Sequence, residues 1–93
     1  MRTQKFKSVW DAIEDSPEAA ASMKARAELM IALKNRIDTW DISQAEAARR
    51  LGITQPRMND LLKGRINKFS LDMLVNLCAR AHFRVDLRVR PAA

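Results

Sequence analysis

The sequence predicts a small, mainly helical domain that ends in a single β-strand. Its 93 residues are 47% hydrophobic and 30% charged, which is typical of one globular domain. Only two glycines and three prolines are present, so little of the chain suits hairpins and loops, and the remaining composition favours helix. The apolar residues recur at helical steps until residue 83, where the spacing changes to strict alternation.

The first helix of the predicted bundle is the longest. Ser16 is suited to cap its N-terminus, Pro17 to its first turn, and Glu18 to the positive end of its dipole. Its apolar residues recur at steps of three or four over about 23 residues, which is one face of a helix. They are Met23, Ala27, Met30, Leu33, Ile37 and Trp40.

Three shorter helices are predicted to follow. Ser43 begins the second helix, with a glutamate at the capping-box spacing, and Gly52 suits the left-handed conformation that ends it. Thr54 caps a third helix, which is expected to end at Gly64, and Ser70 caps a fourth. The apolar stripe of the fourth helix is Leu71, Leu74, Val75 and Cys78.

Residues 83–90 are predicted to form a strand with one apolar and one charged face. No second strand is evident in the sequence, and an unpaired strand needs a partner. The simplest partner is the same strand of a second copy, in an antiparallel ribbon across a two-fold axis. The residues expected to make this dimer are Phe83, Val85, Leu87 and Val89.

The N-terminal residues 1–15 form a separate arm in this prediction. Apolar residues spaced by three or four suggest a single amphipathic turn there, which brings the bundle to about five helices. These residues are Val9, Trp10 and Ile13. The chain is thus divided into an arm (1–15), a helical domain (16–82) and a dimerisation strand (83–90).

Composition makes several function classes unlikely candidates from the start. No apolar run approaches the ~20 residues of a membrane span, and no secretion signal is evident. Cys78 is the only cysteine, so an internal disulfide is impossible and the reducing cytoplasm of a bacterial cell is expected. With one histidine and no tyrosine, the chain lacks the residues that most zinc sites and nucleophile–base pairs require. We therefore expect neither an enzyme nor a cofactor.

The positive charge lies entirely in the second part of the chain. Residues 1–41 carry seven basic and seven acidic residues, whereas residues 42–93 carry ten basic and four acidic ones. Such an asymmetry fits a polyanionic partner for the second part. A solvated basic surface without a partner is the alternative that charge alone leaves open.

Residues 43–64 have the layout of a helix-turn-helix, with two short helices that meet at a turn containing Gly52. Ala48 is small where the two helices would cross. Met58 and Leu61 mark the buried side of the second helix, because they lie about 60° apart at 100° per residue. The polar side of this helix is then free to contact a partner.

That polar side carries residue types suited to double-stranded DNA. Glutamine and asparagine, present as Gln55 and Asn59, are the side chains that pair bidentately with adenine in the major groove. Lys63, Arg65 and Lys68 follow along the chain and can reach phosphates. Together with the concentrated positive charge, this pattern favours DNA over a helix without a ligand.

The motif resembles the helix-turn-helix of the phage-repressor (Cro and XRE) family. Its motif positions are occupied by Gln44, Ala48, Gly52, Ile53, Thr54, Gln55, Met58, Leu61 and Gly64. The resemblance implies a bundle like that of the lambda repressor. A wider resemblance points to a subgroup that includes HigA-like antitoxins, which are dimers that bind their own operator and bury RelE-type, RNA-cleaving toxins. It covers Ser8–Ala20, Leu29–Met30 and Ser43–Pro91.

The resemblance also assigns roles to individual residues. Gln44 would bind a phosphate, while Gln55 and Asn59 would read bases. Arg49 and Arg50 either contact phosphate or are simply solvated. The positions at the DNA backbone or groove edge would be Thr54, Arg57 and Lys63.

Three positions depart from the subgroup pattern. Asn59 stands where serine is frequent, and Asn67-Lys68 stands where aspartate followed by leucine or arginine is frequent. Both changes would retune sequence preference. His82 replaces a helix-ending glycine, so it is expected to adopt the left-handed conformation at some strain.

The sequence therefore predicts a DNA-binding transcriptional repressor that acts as a homodimer, as the antitoxin of a toxin–antitoxin pair. The alternative from another class is a protein-interaction module that neutralises a toxin with little or no DNA binding. Two interpretations of residues 1–15 also stay open: they pack back on the domain, or they help to form a surface for a basic toxin.

Overall fold

A computed structural model describes residues 16–92, which form four α-helices and one 3-10 turn. Helix α1 spans Pro17–Trp40, α2 spans Gln44–Leu51 and α3 spans Gln55–Leu62. A 3-10 turn at Ile66–Lys68 leads to α4, which spans Leu71–Arg80. None of the described helices is long and apolar enough to cross a membrane.

Each α-helix begins at the side chain that the sequence predicts as its cap. The hydroxyl oxygens of Ser16, Ser43, Thr54 and Ser70 each accept a hydrogen bond from the backbone N–H three residues further on, at 3.0–3.2 Å. These bonds satisfy one of the N–H groups that every helix start leaves unpaired. The predicted helix starts are therefore confirmed.

Left-handed backbone follows or ends three of the helices, at Gly52 and His82, where the sequence predicts it, and at Gly64, where the sequence predicts only a helix end. Gly52 and Gly64 have φ of 69° and 70°, which glycine adopts at no steric cost. His82 has φ of 65°, so the predicted left-handed histidine is confirmed. Asp41 also has a positive φ, of 53°, directly after α1, and this was not predicted.

The core lies where α1 packs against α4, with α2 and α3 closing its other side. On α1 the predicted residues Met30, Leu33 and Ile37 are buried, whereas Met23 and Ala27 are only partly so. The stripe of α4 is displaced from the predicted one, since Leu71 is exposed and Val75 is partly buried. The residues that α4 and its C-terminal end bury are Leu74, Leu77, Cys78 and Ala81. Burial raises the pKa of the Cys78 thiol.

The predicted C-terminal strand and the number of about five helices need correction. Within residues 16–92 there are four α-helices and no strand, and residues 83–92 form no regular secondary structure. A strand exists only where its N–H and C=O groups pair with another strand, and a single chain supplies none here. The short N-terminal helix predicted in residues 1–15 lies outside the described residues.

The apolar face of the C-terminal segment is divided between two environments. Phe83 and Val85 pack against the core of their own chain, so the expectation that this face lacks an internal partner was wrong for them. Leu87 and Val89, by contrast, are 86% and 91% exposed. The segment is therefore anchored at its start and unpartnered at its end.

Candidate nucleic-acid interface

The turn between α2 and α3 has a specific hydrogen-bond pattern that fixes the angle of the two helices. Ile53 N–H donates to the Ala48 carbonyl at 3.0 Å, and Gly52 N–H donates to the Arg49 carbonyl at 3.1 Å. This pair of bonds is the Schellman motif, which satisfies carbonyls at a helix end through a left-handed residue. Thr54 caps α3 two residues later, so hydrogen bonds restrict the backbone of the short connection at both ends.

An arginine from α4 donates a hydrogen bond to the same turn. The Arg80 Nη1 atom donates to the Leu51 carbonyl at 2.8 Å. A Cβ atom added at Gly52 would lie 3.2 Å from that Nη1 atom, a tight contact that the end of the arginine side chain can relieve by a small shift, so the φ of 69° is what favours glycine here. Sequence analysis did not identify Arg80. Its position in the last turn of α4 is the ordinary place for a basic residue and carries no further signal.

Helix α3 has the buried and exposed sides that its sequence predicts. Met58 and Leu61 are 0% and 1% exposed, so one side is fully inserted into the core. Gln55 and Lys63 are exposed and Asn59 is half-buried on the rest of the helix surface. A polar surface on a helix that is anchored along its opposite side can enter a DNA groove without rearrangement.

A shallow depression of about 270 Å³ lies between the two helices of the motif. It is lined by α2 and α3 together, with Arg49 and Gln55 as its polar members. Arg49 pairs with Glu46 within α2. Gln44, in the first turn of α2, is half-buried and lies at the helix N-terminus, where the unpaired amides suit a phosphate.

Two of the predicted phosphate-binding cations are already engaged within the protein. The Arg57 Nη1 atom donates to the Lys68 carbonyl at 2.6 Å, and its guanidinium lies 5.4 Å from the centre of the Phe69 ring. Arg65 forms an ion pair of 2.8 Å with Asp60 on α3. Within residues 16–92, the ammonium groups of Lys63 and Lys68 are exposed and have no protein partner.

The 3-10 turn is held beside α3 by arginines from two helices. Arg26 of α1 donates to the Ile66 carbonyl at 3.1 Å and to the Phe69 carbonyl at 3.3 Å, while Arg57 of α3 binds the carbonyl between them. Phe69 itself is buried, at 2% exposure. Sequence analysis missed both Arg26 and Phe69, because their partners are distant along the chain.

The remaining arginine of α2 lies over an aromatic ring. The Arg50 guanidinium is 5.0 Å from the centre of the Trp40 ring, so its side chain is held against the end of α1. Both acidic side chains between residues 43 and 69 are paired with arginine. The surface formed by α2, α3 and the 3-10 turn is therefore basic. In the part of the chain that the structure describes, no three acidic, histidine or cysteine side chains cluster to hold a metal.

The fold and this surface together define a helix-turn-helix domain. Residues 12–90 match the family model described as a helix-turn-helix domain. The chain is also similar to a solved structure of a proposed XRE family transcriptional regulator, with 33% identity and a TM-score of 0.72, over 78% of this chain and 82% of that one. The chain therefore belongs to the XRE family of helix-turn-helix proteins. A comparison with curated proteins found no match.

Proposed function

We propose that the protein is a transcriptional regulator that binds double-stranded DNA in a sequence-specific manner by inserting α3 into the major groove. The observation that carries this proposal is the two-sided character of α3. Its buried side, Met58 and Leu61, fixes the helix, and its free surface presents Gln55 and Asn59. Amide side chains can pair with the edge of adenine in a bidentate manner, and this pairing distinguishes base pairs.

The charge around α3 supplies the contacts that position the protein on the phosphates. Lys63 and Lys68 extend from the C-terminal end of α3 and from the 3-10 turn, and neither has a partner in the described residues. Such contacts carry no sequence information, but they fix the register of the helix in the groove. Gln44 at the start of α2 offers a further phosphate contact from backbone amides and side chain together.

A homodimer is part of the proposed function. The exposed Leu87 and Val89 side chains and the unpaired backbone around them would be covered by the same segment of a second copy. An antiparallel pairing across a two-fold axis would relate the two α3 helices by the same axis. The operator would then be a palindrome whose half-sites are about one helical turn apart, roughly 34 Å.

Two substitutions test the orientation of α3 on DNA. Gln55→Ala should weaken operator binding by about 1–3 kcal/mol, that is 5-fold to 150-fold, and relax the preference at one base pair of each half-site. Lys63→Ala should weaken all sequences alike and make the dependence of affinity on salt less steep. Fluorescence anisotropy with an operator selected from random DNA measures both. Unchanged affinity and preference in Gln55→Ala would contradict this placement of α3.

We further propose that the regulator is the antitoxin of a toxin–antitoxin pair and represses its own operon. What supports this is the resemblance of Ser8–Ala20 and Ser43–Pro91 to the subgroup that includes HigA-like antitoxins. A toxin-like reading frame beside the gene should then arrest growth unless this protein is co-expressed. A neighbour that never arrests growth would contradict the antitoxin role and leave the DNA-binding role standing.

The Gln55→Ala variant also distinguishes the proposed repressor from the alternative function, toxin neutralisation with little or no DNA binding. Under the repressor proposal, Gln55→Ala weakens operator binding and keeps neutralisation, because it changes a side chain on the proposed DNA-facing surface alone. Under the alternative, the unaltered protein neutralises the toxin but retards no operator fragment at physiological salt. In neither case does the proposed role include catalysis.

A further inference from the structure

Arg26 lies on α1, outside the elements that form the proposed DNA interface, but its side chain binds the backbone at the 3-10 turn. Its Nη1 atom donates to the Ile66 carbonyl at 3.1 Å and to the Phe69 carbonyl at 3.3 Å. Its Nε atom donates to the Ser22 carbonyl one helical turn earlier, at 3.3 Å, so the side chain is held at its base as well as at its end.

The positive charge of Arg26 is used for backbone carbonyls alone. The side chain is half-buried, and it forms no ion pair with an acidic residue in the part of the chain that the structure describes. Hydrogen bonds from a charged donor are roughly twice as strong as those between neutral groups. The guanidinium of Arg26 is therefore a strong and specific tether between α1 and the turn.

The turn needs such a tether, because its own bonds are few. It is a single 3-10 turn without a side-chain cap, a geometry whose hydrogen bonds are poorer than those of an α-helix. Its closing bond, from the Phe69 N–H to the Ile66 carbonyl, is 3.3 Å long. Apart from the buried Phe69 ring, its position depends on Arg57 of α3 and Arg26 of α1, which bind carbonyls from opposite helices.

Lys68 is the residue of this turn that the proposed function assigns to a phosphate. Its ammonium group is exposed and has no partner within residues 16–92. A segment that has to be ordered on binding loses affinity to the entropy of that ordering, whereas a segment already held in place does not. Lys63 differs, because it directly follows α3 and the buried Leu61 fixes that end of the helix without help from Arg26.

We propose that Arg26 is a positioning residue for DNA binding, which holds the 3-10 turn so that Lys68 meets a phosphate without further ordering of the backbone. The inference rests on the proposed DNA-binding function and adds α1, which touches no DNA in it, to the determinants of affinity. Its consequence is selective. Loss of Arg26 weakens the contribution of Lys68 and leaves that of Lys63 intact.

Hydrogen exchange followed by NMR tests the first step without DNA. Arg26→Met keeps the apolar part of the side chain and removes its hydrogen bonds, so the amides of Lys68 and Phe69 should exchange several-fold faster. Arg36→Met is the matched control, because Arg36 also lies on α1 and donates to a distant carbonyl, that of His82 at 3.4 Å. This control should leave both amides of the turn unchanged. Both variants are measured well below their melting temperatures.

A double-mutant cycle on an operator selected from random DNA tests the second step. With Arg26 present, Lys68→Ala should weaken binding several-fold and reduce the slope of log affinity against log salt by about 0.9 for each bound protomer. In the Arg26→Met background, the factor lost through Lys68→Ala should be at least about twofold smaller. Lys63→Ala is the internal control and should cost the same factor in both backgrounds.

Three results would overturn the inference. The amides of the turn exchange as slowly in Arg26→Met as in the unaltered protein, or Lys68→Ala costs the same factor with and without Arg26. The third is an equal reduction of the effects of Lys68→Ala and Lys63→Ala, which would show a general loss of fold instead of the positioning of one turn.

Failure of the proposed function gives a different pattern. The unaltered protein then binds no operator, or neither Lys63→Ala nor Lys68→Ala changes its affinity while Arg26 is present. The role of Arg26 in DNA binding falls with that result, and the exchange rates still show whether Arg26 holds the turn. If Lys68→Ala weakens binding and Arg26→Met does not alter this effect, the DNA interface stands and the inference alone is wrong.

Discussion

Replacement of Arg57 by methionine tests whether the clasp between α3 and the 3-10 turn stabilises the DNA-binding surface. The Arg57 guanidinium donates to the Lys68 carbonyl at 2.6 Å and lies over the Phe69 ring. A hydrogen bond from a charged group contributes about 1.5–3 kcal/mol, and a cation–π contact at an exposed site adds about 0.5–1 kcal/mol. Methionine keeps part of the packing, so the expected loss of unfolding free energy is about 1–3 kcal/mol.

The chain offers a matched control for the hydrogen bond. Arg50 also lies over an aromatic ring, that of Trp40, and no hydrogen bond to a distant carbonyl accompanies this contact in the described residues. Arg50→Met should therefore cost only about 0.5–1 kcal/mol, the stacking contribution alone. The difference between the two variants measures the Arg57 hydrogen bond.

Thermal unfolding followed by circular dichroism is the assay for both variants. In a domain of this size, 1 kcal/mol corresponds to about 4–8 °C in Tm, so Arg57→Met should melt at least about 4 °C below the unaltered protein. A Tm equal to that of Arg50→Met would refute the stabilising role of the clasp. Operator binding at several salt concentrations adds a second readout. If Arg57 also contacts a phosphate directly in each protomer of a dimer, Arg57→Met should reduce the slope of log affinity against log salt concentration by about 1.8.

Three further predictions concern the C-terminal third of the chain. Arg88→Pro removes a backbone donor from the segment proposed to pair, so sedimentation should show monomers and operator binding should weaken; a monomeric unaltered protein would contradict the dimer. His82→Gly relieves a left-handed residue (φ 65°), a conformation that costs about 1–2 kcal/mol, while glycine loses about 0.5–1 kcal/mol through the unfolded chain. A Tm gain of a few degrees is expected, and a lower Tm would argue against strain. The raised pKa of Cys78 means that the folded state holds its thiol proton when the unfolded state has lost it, so stability should fall as pH rises above the ordinary value of about 9. Urea titrations between pH 7 and 10, compared with Cys78→Ala, check this sign.

The helix boundaries were predictable because they depend on groups close together in the chain. A serine or threonine hydroxyl that accepts the N–H three residues further on is visible in the sequence as a capping position, and all four such caps are present. The same holds for Gly52, since a left-handed residue after α2 needs no distant partner. The buried side of α3 followed from the helical period alone.

The arginines that support the motif could not be predicted, because their partners are set by packing. Arg26 binds carbonyls 40 and 43 residues away, and Arg80 binds one 29 residues away. Only the packing of α1 and α4 around the motif brings these groups together. The family resemblance placed Arg57 at the DNA backbone or groove edge, whereas the tertiary structure also gives it a partner within the protein.

The C-terminal segment shows both what the sequence alone predicts and what only the tertiary structure decides. Alternation of apolar and charged residues specifies an extended backbone, because successive side chains of such a backbone point to opposite sides. Whether that backbone becomes a strand depends on hydrogen-bond partners, and none lies within the described chain. The tertiary structure decided which apolar side chains the domain itself covers, namely Phe83 and Val85, and left Leu87 and Val89 exposed.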